Sequence, residues 1–175
     1  MALMGVLVLG TSVYAASVHL KGGKKAEPSF MDNGISLAAD GALSGLGNGD
    51  VLISVEATAD AFSTCTNRGG NQAPGQNPAD LTVFGAQAIP EEEVKNGTTT
   101  FMVETLEPET PIPGAPGCPN PNWKQTIDDL AFTSAIITVE QPIGTVVLKV
   151  TCTIDPPSAD GAISKGDVTC KQEQF

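Results

Sequence analysis

The sequence predicts an all-β protein: an antiparallel β-sandwich, Ig-like or jelly-roll-like, stapled by disulfides, with a β-barrel as the alternative. Three observations predict it. Apolar and polar residues alternate with period two in several runs, no long stretch carries helical periodicity, and turn signals fall between the runs.

In chain order, residues 17–20 form a short edge segment and 35–40 (ISLAAD) a weak strand. Residues 51–60 (VLISVEATAD) put Val51, Ile53, Val55, Ala57 and Ala59 on one face. Residues 81–88 and 98–106 are further strands, and Pro90–Val94 opens with Pro and three acids, as a short helical turn does. Residues 131–139 (AFTSAIITV) are rich in β-branched residues and nearly all apolar or small, as a central sandwich strand should be. Residues 145–152 alternate again, and 167–171 close the set as an edge. Asn33-Gly34, Asn48-Gly49 and Asn96-Gly97 supply residues that tolerate the positive φ of tight turns, and Gly144 closes the loop before the strand at 145. No repeat or linker divides the chain, so residues 16–175 read as one domain.

Residues 2–13 form an apolar run too short to span a membrane. Val13 and Ala15 then stand at −3 and −1 of a cut after Ala15, or the cut follows Ala16. A signal peptide is predicted over 1–15, although the positive residue that usually precedes such a run is missing. Cleavage there leaves all four cysteines and every charge in the mature chain. Export and disulfides agree, because disulfides persist in oxidising compartments.

Composition narrows the function. Lys+Arg number 9 against 20 Asp+Glu, a net charge of −11, which argues against a nucleic-acid partner. Gly and Pro make up 32 of 175 residues, above the roughly 12% of average usage. They concentrate in turns and in two long loops, 66–80 and 107–122, the second holding six prolines. Each loop touches a cysteine. Four cysteines allow three connectivities; the economical one joins Cys65 to Cys118, tying the two loops, and Cys152 to Cys170, tying the last strands.

The segments TCTNRGGNQAPGQNPADLTVFG (64–85) and PGCPNPNW (116–123) resemble a group of secreted bacterial proteins with no established activity. The likeness runs from about Ser17 to Cys152. It implies export and transfers no catalytic residue.

The residues themselves give little for catalysis. His19 is the single histidine, Ser44-Gly45-Leu46-Gly47 is not a nucleophile elbow, and the cysteines lack C-x-x-C spacing. Glu104, Asp128 and Asp129 are carboxylates a glycosidase could pair, but low aromatic content argues against a cleft lined by rings. No catalytic residue and no cofactor are expected. Calcium is the one ion with donors in reach of the pattern, the weak set being Asp155, Asp160 and Asp167, with acidic turns also at Asp32-Asn33-Gly34 and Asn48-Gly49-Asp50. Asn96-Gly97-Thr98 is an N-glycosylation sequon in a glycosylating host.

The expected role is therefore a secreted, non-enzymatic extracellular module acting in surface display, adhesion, matrix or structural assembly. Its contact surface would lie on loops 66–80 and 107–123. Trp123, the only tryptophan, is the candidate aromatic platform, with Asn67, Arg68, Asn71, Gln72, Asn120 and Asn122 as polar contacts for an extracellular protein or glycan. Self-assembly is a variant, with segment 17–30 donating a strand to a second copy. The alternatives are a secreted hydrolase inhibitor or a carbohydrate-active enzyme.

Overall fold

The computed structural model describes residues 17–175, so the segment 1–15, expected from the sequence to be a signal peptide, lies outside the described residues. Eleven strands are present: β1 (His19–Leu20), β2 (Ser29–Asp32), β3 (Leu37–Ser44), β4 (Val51–Thr66), β5 (Gln72–Pro74), β6 (Ala79–Ile89), β7 (Thr98–Glu104), β8 (Lys124–Glu140), β9 (Val146–Ile154), β10 (Gly161–Ala162) and β11 (Val168–Gln174). They build two antiparallel sheets. In the smaller, β3 carries β7 along one edge and β1 and β2 on the other, with β10 beyond β2. In the larger the order is β11-β9-β8-β4, and β6 and β5 share the far edge of β4.

The alternation read from the sequence is the alternation of burial. All 16 residues of β4 obey it, with Val51, Ile53, Val55, Ala57, Ala59 and Ala61 turned into the core. Large residues on β8 lie beside small ones on β4: Phe132 pairs with Ala59 and Leu130 with Ala61. Leu37, Ala39, Leu43, Phe101 and Val103 face them from the smaller sheet. Burying each such aliphatic or aromatic side chain stabilises the fold by about 1.5–3 kcal/mol relative to exposure. Two bulges in β8, at Thr133 and Asp128, leave one extra residue each opposite β4 and re-phase the strand.

The sheets meet at both rims without closing into a barrel. On one side the chain leaving β7 crosses β6, and Leu106 N–H donates to the Phe84 carbonyl at 2.8 Å. Only glycine fits at 85, since a Cβ there would overlap the Glu104 carbonyl. On the other side the rim is held by side chains of β11. The Gln172 amide donates to the carbonyls of Gly23 and Ala26 and accepts from Leu20 N–H, and Gln174 donates to the Val18 carbonyl. Segment 17–30, expected as a donor strand for a second copy, pairs here within its own sheet, with Val18, Leu20 and Phe30 buried.

Several elements differ from expectation. The strand expected at 131–139 begins at Lys124, the one at 51–60 runs on to Thr66, and β2, β5 and β10 had no clear pattern. The loop 66–80 thus contains a strand. The helical turn is a single 3-10 turn, Glu91–Glu93. Asn96 and Gly97 both have positive φ (53° and 68°), as a two-residue hairpin turn between Lys95 and Thr98 demands.

Candidate functional site

The far halves of β4 and β8, with β5 on the flank, form an arm at one end of the sandwich. The Pro-rich segment 107–123 lies against the inner face of this arm as a strap. Two features fasten it. Cys65, fully buried on β4, is bridged to Cys118 of the strap, with Cα atoms 5.7 Å apart. Gln125, buried on β8, accepts from the strap's Ile112 N–H at 3.2 Å and donates to Ser63 Oγ at 3.0 Å. Ile112 itself is buried in the core, and Ala115 of the same segment packs against it.

Ser63 also organises the other loop. Its N–H donates to Asn77 Oδ1 at 2.6 Å, and its carbonyl accepts from Gly75 N–H and from the Asn77 amide. Gly75 has no alternative, because a Cβ there would overlap Ser63 Oγ. The two loops meet where Gln76 and Pro78 lie opposite Pro113–Pro116 around a depression of about 400 Å³.

Between the strap and the start of β8 lies a groove of about 630 Å³, lined among others by Thr110, Pro111, Asn120, Asn122, Trp123 and Gln125. Trp123 is half-buried there. Its position is set by the turn before it: Asn120 Oδ1 accepts from Asn122 N–H at 2.9 Å, and the Asn120 carbonyl accepts from Trp123 N–H at 3.0 Å. Among the described residues the Asn120 NH2 and the whole Asn122 amide have no hydrogen-bond partner in the chain.

The expected contact residues therefore separate. Trp123, Asn120 and Asn122 share the groove. Gln72 lies on the outer side of the arm, in a shallower depression of about 290 Å³ with Phe62, Thr64 and Asp128. Asn67, Arg68 and Asn71 sit in the turn joining β4 to β5 and line neither. The Asn67 side chain is spent on that turn, accepting from Gly69 N–H and Asn71 N–H at 2.9 Å each. Arg68 and Asn71 are exposed at its tip.

The second expected bridge is also formed: Cys152 and Cys170 lie directly opposite each other on β9 and β11, Cα atoms 4.1 Å apart. His19 Nδ1 donates to the Ser17 carbonyl at 2.7 Å, beside the start of β1. Of the carboxylates considered for catalysis, Glu104 lies on the smaller sheet and Asp128 and Asp129 on β8 of the larger. Glu104 on β7 accepts from Ser36 Oγ and Asn33 Nδ2, which hold it below the usual carboxylate range, while Asp128 on β8 accepts from Thr64 Oγ1. Among the described residues no three His, Cys, Asp or Glu side chains gather as a metal would need, Asp155, Asp160 and Asp167 included.

One acidic feature has no signature in the sequence. Asp32 is 2% exposed, accepting from Gly34 N–H at 2.9 Å and Ser158 Oγ at 2.5 Å. Burial pushes its carboxyl above the ordinary value, and the charges of Asp129 and Asp160 add to the push against the lowering effect of its hydrogen bonds. Ser158 passes the contact on, accepting from Phe132 N–H and donating its own N–H to the Phe132 carbonyl, so the segment after β9 is docked on the β8 edge.

No protein-family model, curated protein or solved structure matches this chain. No helix among the described residues is long and apolar enough to cross a membrane.

Proposed function

We propose that the chain is a secreted, non-enzymatic extracellular module that binds a partner through the disulfide-tied end of its sandwich. The observation that carries this reading is the groove of about 630 Å³ beside Trp123, whose walls are tied by Cys65–Cys118 and by the Ser63–Gln125–Ile112 hydrogen bonds. A surface fixed before its partner arrives loses less side-chain and loop entropy on binding. Two disulfides support an oxidising compartment, in keeping with the resemblance to secreted proteins. The −11 charge supports solubility outside the cell.

The test compares the full chain with Trp123→Ala and with a variant shortened in the turn 67–71. Binding to immobilised cell-envelope and extracellular-matrix preparations is measured for each. Loss in Trp123→Ala with folding intact is the expected result. Equal binding by all three proteins removes this end as the contact surface. Recovery of the expressed chain only inside the host cell removes the export component.

A further inference from the structure

We propose that the Trp123 groove is a binding site for a neutral, pyranose-type saccharide. The inference rests on the binding-module reading and names its ligand class.

The lining is the first argument. The chain carries 20 carboxylate side chains, yet none lines the groove; Lys124 is its only ionised residue. A protein of net charge −11 repels polyanions at distance, and one exposed lysine does not make a phosphate or uronate cradle. What the groove offers is one indole face with amide and hydroxyl groups around it: Trp123 with Asn120, Asn122, Gln125 and Thr110. A pyranose has the complementary chemistry. Its axial C–H face meets the electron-rich ring, whose quadrupole is negative on the face, and its equatorial hydroxyls meet side-chain amides at the edge.

The hydrogen-bond inventory is the second argument. Gln125 uses both ends of its buried amide internally, accepting from Ile112 N–H and donating to Ser63 Oγ, so it shapes the wall. Asn120 uses only its oxygen internally, in the turn that presents Trp123. The Asn120 NH2 and both ends of the Asn122 amide are left over, two donors beside the ring and one group that both donates and accepts. That is the mixture a vicinal diol recognises. A proline-rich peptide fits less well, because such segments dock in grooves lined by several aromatic rings, and Trp123 is the only aromatic residue in this lining.

Trp123 is the sole tryptophan, so the intrinsic fluorescence of the full-length, oxidised protein reports on this groove alone. The emission is titrated with cellohexaose, chitohexaose, xylohexaose and mannohexaose, and separately with hexagalacturonate and deca-proline. The expected result is a saturable blue shift with at least one neutral hexasaccharide, unchanged in 0.5 M NaCl. By calorimetry, Trp123→Ala then weakens binding at least tenfold, Trp123→Tyr less, and Asn122→Ala about fivefold, the last touching no internal hydrogen bond of its side chain. A response confined to hexagalacturonate and abolished by salt overturns the neutral-saccharide proposal and leaves the binding-module reading standing, as does a response confined to deca-proline. No response to any probe, with cell-envelope binding equally unaffected by Trp123→Ala, overturns both.

Discussion

Ser63 on β4 and Gln125 on β8 lie diagonally across the two strands, and the Gln125 amide donates to the Ser63 hydroxyl at 3.0 Å with both side chains buried. This contact joins three segments distant in sequence: the 75–78 loop through the Ser63 backbone, β8 through Gln125, and the strap through Ile112. Among the described residues no buried side-chain nitrogen or oxygen lacks a partner, so the network is complete.

Completeness makes it sensitive to truncation. Gln125→Leu keeps the bulk and removes both the acceptor of Ile112 N–H and the donor to Ser63 Oγ. Leaving a buried polar group unsatisfied costs about 1–3 kcal/mol, so the variant should lose stability in that range by urea denaturation. Ser63→Ala, which keeps the backbone bonds to Asn77 and Gly75, should lose less. Equal losses would mean that the Gln125–Ile112 contact contributes little.

The two disulfides should differ in weight. Cys65–Cys118 spans 53 residues and Cys152–Cys170 spans 18. Chain-entropy arithmetic then assigns about 4 kcal/mol to the first and about 3 kcal/mol to the second. Paired Cys→Ala variants, unfolded in guanidinium, should follow that order. Only the first should alter Trp123 emission in the folded state, because only Cys118 shares its groove.

Asp32 gives the stability a pH dependence of known sign. Burial raises its folded-state carboxyl above the unfolded value, so the folded form holds the proton more tightly. Its contribution is full below the unfolded value and is lost as pH rises through the raised one. Asp32→Asn keeps an acceptor for Gly34 N–H and a partner for Ser158, and removes the charge. The difference in unfolding free energy, Asp32→Asn minus wild type, should therefore grow in favour of the variant as pH rises through the raised carboxyl value. A constant difference across that range would show that Asp32 is not the titrating group. Glu104 acts in the opposite sense: its lowered carboxyl contributes above the unfolded value and loses that contribution as pH falls through the lowered one.

Gly85 and Gly114 separate steric overlap from backbone conformation. At Gly85 a methyl group meets the Glu104 carbonyl, where β7 leaves one sheet for the other. Gly85→Ala should cost about 1–3 kcal/mol, the range for overpacking a closed site. Gly114 lies in the strap with open space around it and φ of +80°, so Gly114→Ala should cost roughly 1–2 kcal/mol from the left-handed backbone alone. Thermal unfolding of the two variants, with Ala substitution at exposed Ala-tolerant strand positions as the control, measures both.

The fold class, the main strands and both disulfides could be read from the sequence alone. Period-two alternation is local: Val51, Ile53, Val55 and Ala57 announce their shared face whatever the rest of the chain does. The cysteine pairing was legible for a related reason, since two cysteine-bearing loops and two cysteine-bearing terminal strands left one economical solution. The strands β2, β5 and β10 escaped because two to four residues carry too little alternation to register.

What the tertiary structure decided is the use of each polar side chain. Asn67, Asn120 and Asn122 are chemically identical, yet the Asn67 oxygen accepts twice within its own turn, the Asn120 oxygen accepts once in the turn that presents Trp123, and the Asn122 side chain makes no hydrogen bond among the described residues. Asp32 and Asp50 both sit beside Asn-Gly pairs, yet Asp32 is buried and Asp50 is exposed. A side chain's composition states what bonds it is able to make. Which of them it makes depends on partners as far away as 156 residues, as for Gln174 and Val18, and only the folded chain brings those together.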